Sequence, residues 1–218
     1  MADTPSVAVR GEVTREVEPE LATLTVTVQA RGKDRQETLT RLTERNEALR
    51  QLLDRYADAI EKRETSGVYV HPEVKGSRER VSSYTGTVST TVTFHDFSQL
   101  GDIVLTLADQ DQTTVYGPNW SLRPDSPAYR EARRAAIADA LVRAREYADA
   151  LGARVVRLIE LTDVGLSGDQ GPRPLAFAAR ASAMPGEPQL ELDPQLQTVY
   201  AAIEARFVIS EPTLDRPS

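Results

Sequence analysis

Two stretches in which apolar residues occupy every second position bracket this chain, and they limit its fold more than any other feature. One, near the C-terminus, holds Val199, Ala201, Ile203, Ala205, Phe207 and Ile209; the other, near the start, holds Ala22, Leu24, Val26, Val28 and Ala30. A period of two puts every apolar side chain of an extended segment on one face, so each stretch reads as a half-buried strand. The two ends are therefore expected to share one sheet, with everything between them packed around a common core.

The intervening sequence supplies the layers that such a sheet needs. Val7, Val9, Gly11 and Val13 alternate with polar neighbours ahead of Glu18-Pro19-Glu20, which predicts an opening strand paired antiparallel with the Ala22–Ala30 strand. Asp34, with Glu37 three positions on, resembles a capping box, and Leu39, Leu42, Asn46, Leu49, Leu53, Tyr56 and Ile60 then recur at spacings of three and four, as in one long amphipathic helix. Thr65 to Val70 reads as a strand closed by His71-Pro72, Lys75 to Arg80 as a charged hairpin tip, and Val81 to Phe94 as a long strand with a Thr-rich solvated face. Asp96 is placed to cap a shorter helix with apolar Leu100, Ile103, Val104 and Leu107, and a strand is expected from Thr113 to about Leu122. Ser126 as N-cap, Pro127 at the first helical position, an Ala-rich run to Leu151 and Gly152 just past the end delimit a second long helix. Val155 to Leu161 is a short apolar run, interrupted by Arg157 and Glu160, and reads as a buried strand.

Composition narrows the roles open to such a fold. The balance of 26 Lys+Arg against 33 Asp+Glu gives a net charge of −7, which lacks the field that concentrates a protein on phosphate backbones, so nucleic acid is not an expected partner. Arg130, Arg133, Arg134, Arg143 and Arg145 are interleaved with Glu131, Asp139, Glu146 and Asp149, the pattern of a solvated helix face. The chain has no cysteine, which removes disulfides, thiolate metal sites and cysteine nucleophiles together. No apolar run reaches the roughly 18 residues of a membrane span, so no integral membrane segment is expected. The opening MADTPSVAVR has neither a basic n-region nor an apolar h-region, which as written implies a cytoplasmic protein, whereas a trimmed mature form would belong to the periplasm or envelope.

Chemistry-bearing constellations are sparse. His71 and His95 are the two histidines, and a metal or base role would require them to converge with carboxylates such as Glu73 or Asp96. Ser82, Ser83 and Ser182 sit in no nucleophile elbow, and the glycines from Gly165 to Gly171 lack the Lys-Ser/Thr that a phosphate loop needs. No catalytic, cofactor-binding or metal-binding residue is assigned, and no enzymatic activity or cofactor is expected. Tyr116 and Trp120 could stack a ligand, which makes them the candidate pocket. Between 165 and 197 glycines and prolines interrupt an apolar run; a loop this long is seldom idle, and its apolar members either cover the domain's own core or enter a neighbouring subunit. Leu175, Phe177 and Met184 are the candidate interface residues in it, alongside the Thr-rich face of the 81–94 strand.

The order of elements and several short motifs resemble the SIMPL-domain family of bacterial proteins. Gly11-Glu12-Val13 followed by Val17-Glu18-Pro19-Glu20 and Ala22 is similar to the family's opening pattern, with Glu20 where Asp is commoner. Thr65-Ser66-Gly67-Val68, Tyr84, Asn119-Trp120-Ser121-Leu122, the Tyr129–Leu151 helix with its closing Ala-Leu-Gly, and Arg173-Pro174 follow in the family's order. The resemblance covers about residues 7–210 and implies a single α+β domain, an antiparallel sheet packed against two long helices and one shorter helix, with residues 1–6 and 211–218 as flexible tails. It also implies a non-enzymatic protein that forms homo-oligomeric assemblies, with any further protein partner unidentified. The alternative that the residues leave open is a ligand- or partner-binding module using a pocket near Trp120 and the 172–194 loop.

Overall fold

Residues 4–74, 81–164 and 190–213 are described in the computed structural model, and they form seven strands, three α-helices and one 3-10 turn. The strands form two antiparallel sheets rather than one. β1 (Ser6–Val17), β6 (Val155–Asp163) and β7 (Gln197–Ile209) make a three-stranded sheet in the order β1-β7-β6. β2 (Leu21–Gly32), β3 (Ile60–Val74), β4 (Val81–Phe94) and β5 (Thr113–Ser121) make a four-stranded sheet in the order β3-β4-β2-β5. The α+β class expected from the sequence is what the structure shows.

Contacts divide the chain into two compact units, one built on each sheet. In the first, β1 pairs with β7 along its whole length, from Ser6↔Val208 to Val17↔Gln197, and α3 (Pro127–Ala150) lies on one face of them. The delimiting signals of α3 act as read: the Ser126 side chain accepts from the Ala128 N–H at 3.3 Å, Pro127 opens the helix, and Gly152 follows it at φ +65°. Its buried stripe is made of alanine alone, Ala132, Ala136, Ala140, Ala144 and Ala148, which lets the helix backbone come close to the sheet. The approach is tight at Gly11, where a Cβ would stand 2.1 Å from the carbonyl oxygen of Ala136. Val9, Ile203, Ala205 and Phe207 complete that core.

In the second unit, Leu24, Val26 and Val28 of β2 meet Leu42, Leu49 and Leu53 of α1 (Arg35–Asp54) and Leu100, Ile103 and Leu107 of α2 (Leu100–Ala108). The Asp34 carboxylate caps α1 by accepting from the Glu37 N–H at 2.8 Å, and Glu37 answers by accepting from the Lys33 N–H at 2.8 Å. Thr38, not Leu39, opens the buried stripe; its hydroxyl donates to the Asp34 and Tyr84 carbonyls, while Leu39 is exposed. Asn46 is half-buried at the edge of the stripe.

Several expectations are corrected. β2 pairs with β4 and β5, so it neither joins β1 nor shares a sheet with β7; alternation identifies a half-buried strand but carries no information about its partner. The two long helices consequently serve different sheets. β3 does not end at His71-Pro72 but runs to Val74, because it is an edge strand on which a residue without an N–H is tolerated. Asp96 accepts from the Ser98 N–H at 2.9 Å in the turn before α2, whose own N-cap is Gln99. Most consequentially, the Val155–Leu161 segment is no buried strand but an exposed edge, since α3 lies over β1 and β7.

Candidate functional site

The edge strand β6 presents apolar side chains to solvent in an unusual concentration. Val156, Leu158, Ile159 and Leu161 are 61%, 48%, 46% and 46% exposed. Leu158 pairs with Phe207 and Leu161 with Ala205, so both lie on the helix side of the sheet, beside the alanine stripe's territory rather than under it. Register breaks between Val155 and Arg157 and between Leu158 and Glu160 leave Val156 and Ile159 at irregular positions. Such bulges turn an edge away from direct strand addition, which leaves side-chain packing as its means of contact. On α3, Asp139 accepts from the Glu12 N–H at 3.0 Å, so that flank of the helix is turned to β1. Ile137, Val142 and Tyr147 of the same helix are also exposed, at 43%, 49% and 57%; by helical spacing Ile137 lies on the flank opposite Asp139, Val142 faces away from the sheet and Tyr147 shares the Asp139 flank.

The opposite face of the same sheet is charged and internally neutralised. Arg10 donates to the Tyr200 hydroxyl at 2.7 Å, Tyr200 donates to Glu12 at 3.1 Å, and Arg10 stands 3.4 Å from Glu12. The Tyr200 hydrogen bond, ahead of the neighbouring carboxylates, holds the Arg10 guanidinium more firmly protonated than usual. In register, Arg10 faces Glu204 and Arg206 faces Glu160, around an open hollow of about 530 Å³. Each cation there has an acidic neighbour across the ladder, which accounts for the charges as sheet stabilisation.

The four-stranded sheet also has two different faces. Toward the helices lie Leu24, Val26 and Val28; away from them, Thr23 pairs with Thr93, Thr25 with Thr91 and Thr27 with Ser89. The Thr27 and Ser89 hydroxyls are 2.8 Å apart. At one end of this face Glu73 accepts from Thr85 at 2.6 Å and Ser83 at 2.9 Å and meets Arg31 at 2.5 Å, spanning three adjacent strands. The two hydroxyl donors, and then Arg31, hold the Glu73 carboxyl below the usual carboxylate range.

The sequence-predicted residues fall as follows. Trp120 pairs with Ala22, hence lies on the helix side, where its ring meets Phe97 edge-on with centroids 5.0 Å apart. Tyr116 pairs with Thr25, hence lies on the threonine side, 68% exposed. The two aromatic residues thus sit on opposite faces of one sheet, because the register slips between Thr23 and Thr25 beside Gly117-Pro118. His71 pairs with Thr85 while His95 follows Phe94, which separates them by on the order of 30 Å along β4. Leu175, Phe177 and Met184 lie outside the described residues; nearer the end of that loop, Leu192 packs against the core of the second unit. The β6 surface was not legible in the sequence: a mostly apolar run signals burial, and the signal cannot tell burial within a chain from burial between chains.

Comparison with known proteins adds the lineage. The profile of SIMPL, described as a protein of unknown function (DUF541), matches residues 7–207. The chain is also similar to the "26 kDa periplasmic immunogenic protein" of Brucella melitensis and to that of Brucella abortus, each 30% identical over 186 residues, covering 78% of this chain and 70% of the relative. No helix among the described residues is long and apolar enough to cross a membrane.

Proposed function

The chain belongs to the SIMPL family, and from that premise we propose that it is a non-enzymatic protein that works as a homo-oligomeric assembly, with the exposed apolar edge formed by β6 as its subunit contact. The observation that carries this reading is the exposure of Val156, Leu158, Ile159 and Leu161 on one edge strand. A side chain of this size gains about 1.5–3 kcal/mol on full burial, and these are already half covered, so each has about 1 kcal/mol left to gain. A self-complementary contact counts that set twice, giving about 8 kcal/mol, which is comparable with the association entropy of about 4–15 kcal/mol that a complex must overcome. Additional surface from Ile137, on the flank of α3 opposite Asp139, works in the same direction. The word "periplasmic" in the relatives' names supports the envelope rather than the cytoplasm as the site of this assembly.

Light scattering coupled to gel filtration of the full chain tests the reading. A multimer is expected at micromolar concentration, and Leu158→Glu with Leu161→Glu should shift it to smaller species while far-UV circular dichroism stays unchanged. A strictly monomeric native chain, or a multimer indifferent to both substitutions, would overturn it.

A further inference from the structure

The helix-distal face of the four-stranded sheet is a floor of hydroxyl groups with an exposed tyrosine near each side edge. Read across the strands in the order β3-β4-β2-β5, its rows are Glu64–Thr91–Thr25–Tyr116, then Gly67–Ser89–Thr27–Thr114, then Tyr69–Thr87–Gln29. The threonines of β2 and β4 in these rows are half-buried, as expected for side chains standing side by side on an open sheet. Tyr69 is 67% exposed and Tyr116 68%.

Two independent features give this face a ligand chemistry beyond that of ordinary solvated sheet. Gly67 lies two residues before Tyr69 on the same face, and a Cβ there would stand 3.0 Å from the Tyr69 ring. The missing side chain is what lets the ring lean along the strand over Gly67, leaving the other side of the ring open. The second feature is charge. The middle rows, from Gly67 to Thr114 and from Tyr69 to Gln29, contain no carboxylate, ammonium, guanidinium or imidazole group, and at the margins Lys62 is matched with Glu64 at 2.8 Å and Arg31 with Glu73, with His71 in the row of Thr85 and Arg31. A polyanion or polycation finds no complementary field over such a floor, whereas a neutral polyol can exchange hydrogen bonds with each hydroxyl as donor or as acceptor.

From these features we infer that this face binds a neutral, extended oligosaccharide, with the CH faces of its pyranose rings stacked on Tyr69 and Tyr116 and its hydroxyls over Thr25, Thr27, Thr87 and Ser89. The rings' anchoring positions are three inter-strand steps apart across the sheet and four residues apart along it, a diagonal on the order of 20 Å, which suits a chain of several sugar units rather than a monosaccharide. Tyrosine contributes a rigid apolar plane at low entropic cost, the property that an anchor on an open surface needs. The face belongs to the second unit and β6 to the first, so substitutions at Tyr69 and Tyr116 and substitutions at Leu158 and Leu161 probe the two separately.

Calorimetry and affinity electrophoresis of the full chain against cellohexaose, chitohexaose and maltohexaose, with a galacturonate hexamer as the anionic arm, test the inference. Binding of at least one neutral hexamer is expected, weakened at least tenfold by Tyr69→Ala and by Tyr116→Ala but retained in Tyr69→Phe, with circular dichroism confirming that each variant folds. Trp120 lies on the other face, so its fluorescence should stay silent. Failure to bind any neutral hexamer, preference for the anionic one, or binding that survives the double tyrosine variant would overturn the inference. So would a tyrosine variant that changes the assembly state without changing sugar binding, since that would mark the face as a subunit contact.

Discussion

Replacing Gly11 by alanine tests the close approach of α3 to its sheet more sharply than any other single change. At an unstrained strand position this substitution alone would stabilise by about 0.4–1 kcal/mol, because it removes freedom from the unfolded chain. Here the added Cβ would meet the Ala136 carbonyl oxygen at 2.1 Å, the Ala140 nitrogen at 2.6 Å and the Ala140 Cβ at 2.7 Å, where ordinary contact begins at 3.4 Å. Two of the three obstacles are helix backbone and cannot rotate away, so α3 must withdraw from β1 by roughly 1 Å, enough to forfeit a quarter to a half of the dispersion energy along its alanine stripe. That puts the change at the upper end of overpacking, about 3 kcal/mol, or a fall in Tm of about 6–12 °C for a chain of this length. Thermal and urea denaturation followed by circular dichroism measure it. Gly86→Ala is the control, since its Cβ would meet only the side-chain ends of Leu42, Thr38 and Val70 at 3.1, 3.2 and 3.5 Å, and a change within about 1 kcal/mol is expected. Adding Ala140→Gly to Gly11→Ala should not restore stability, because the Ala136 carbonyl remains. A Gly11→Ala protein as stable as the native chain would refute the packing argument outright.

Other consequences can be measured on the same footing. Ser126→Ala removes the α3 cap and should lower stability by about 1 kcal/mol, with Ser126→Asp restoring most of it in urea titrations. Glu73 has a folded pKa below its unfolded value of about 4.3, so its contribution is fully present above that pH and lost as the pH falls through the lower folded value. The acid limb of a stability profile should therefore be shallower in Glu73→Gln than in the native chain, and identical limbs would disprove the link. Gly101→Ala drives a Cβ into the Leu190 carbonyl at 1.9 Å, but that carbonyl belongs to a connecting segment; a loss smaller than for Gly11→Ala is expected by the same thermal assay.

Local signals were legible wherever a covalent or short-range rule decides the outcome. Asp34 with Glu37 marked the start of α1, and Ser126-Pro127 with Gly152 both ends of α3, because capping is settled within four residues, whereas the apolar spacing that extended α1 to Ile60 overran it: the helix stops at Asp54 and Ile60 opens β3. Alternation sorted Val199 to Ile209 onto the inner face of β7 for the same reason, since side-chain direction along a strand depends on the backbone alone. The threonine rows on the 81–94 strand were legible too, but their alignment with Thr23, Thr25 and Thr27, and with Tyr69 and Tyr116 at the edges, came from register, which no window of sequence encodes. Partner choice was equally hidden: β1 reads like a neighbour of β2, yet pairs with a strand at the far end of the chain. The apolar run in β6 shows the limit most clearly. Its composition determined that the segment would seek burial, and only the tertiary structure, by laying α3 over β1 and β7 and leaving β6 at the edge, decided that this burial is not completed within the described chain, because a hydrophobic driving force has no direction until packing supplies one.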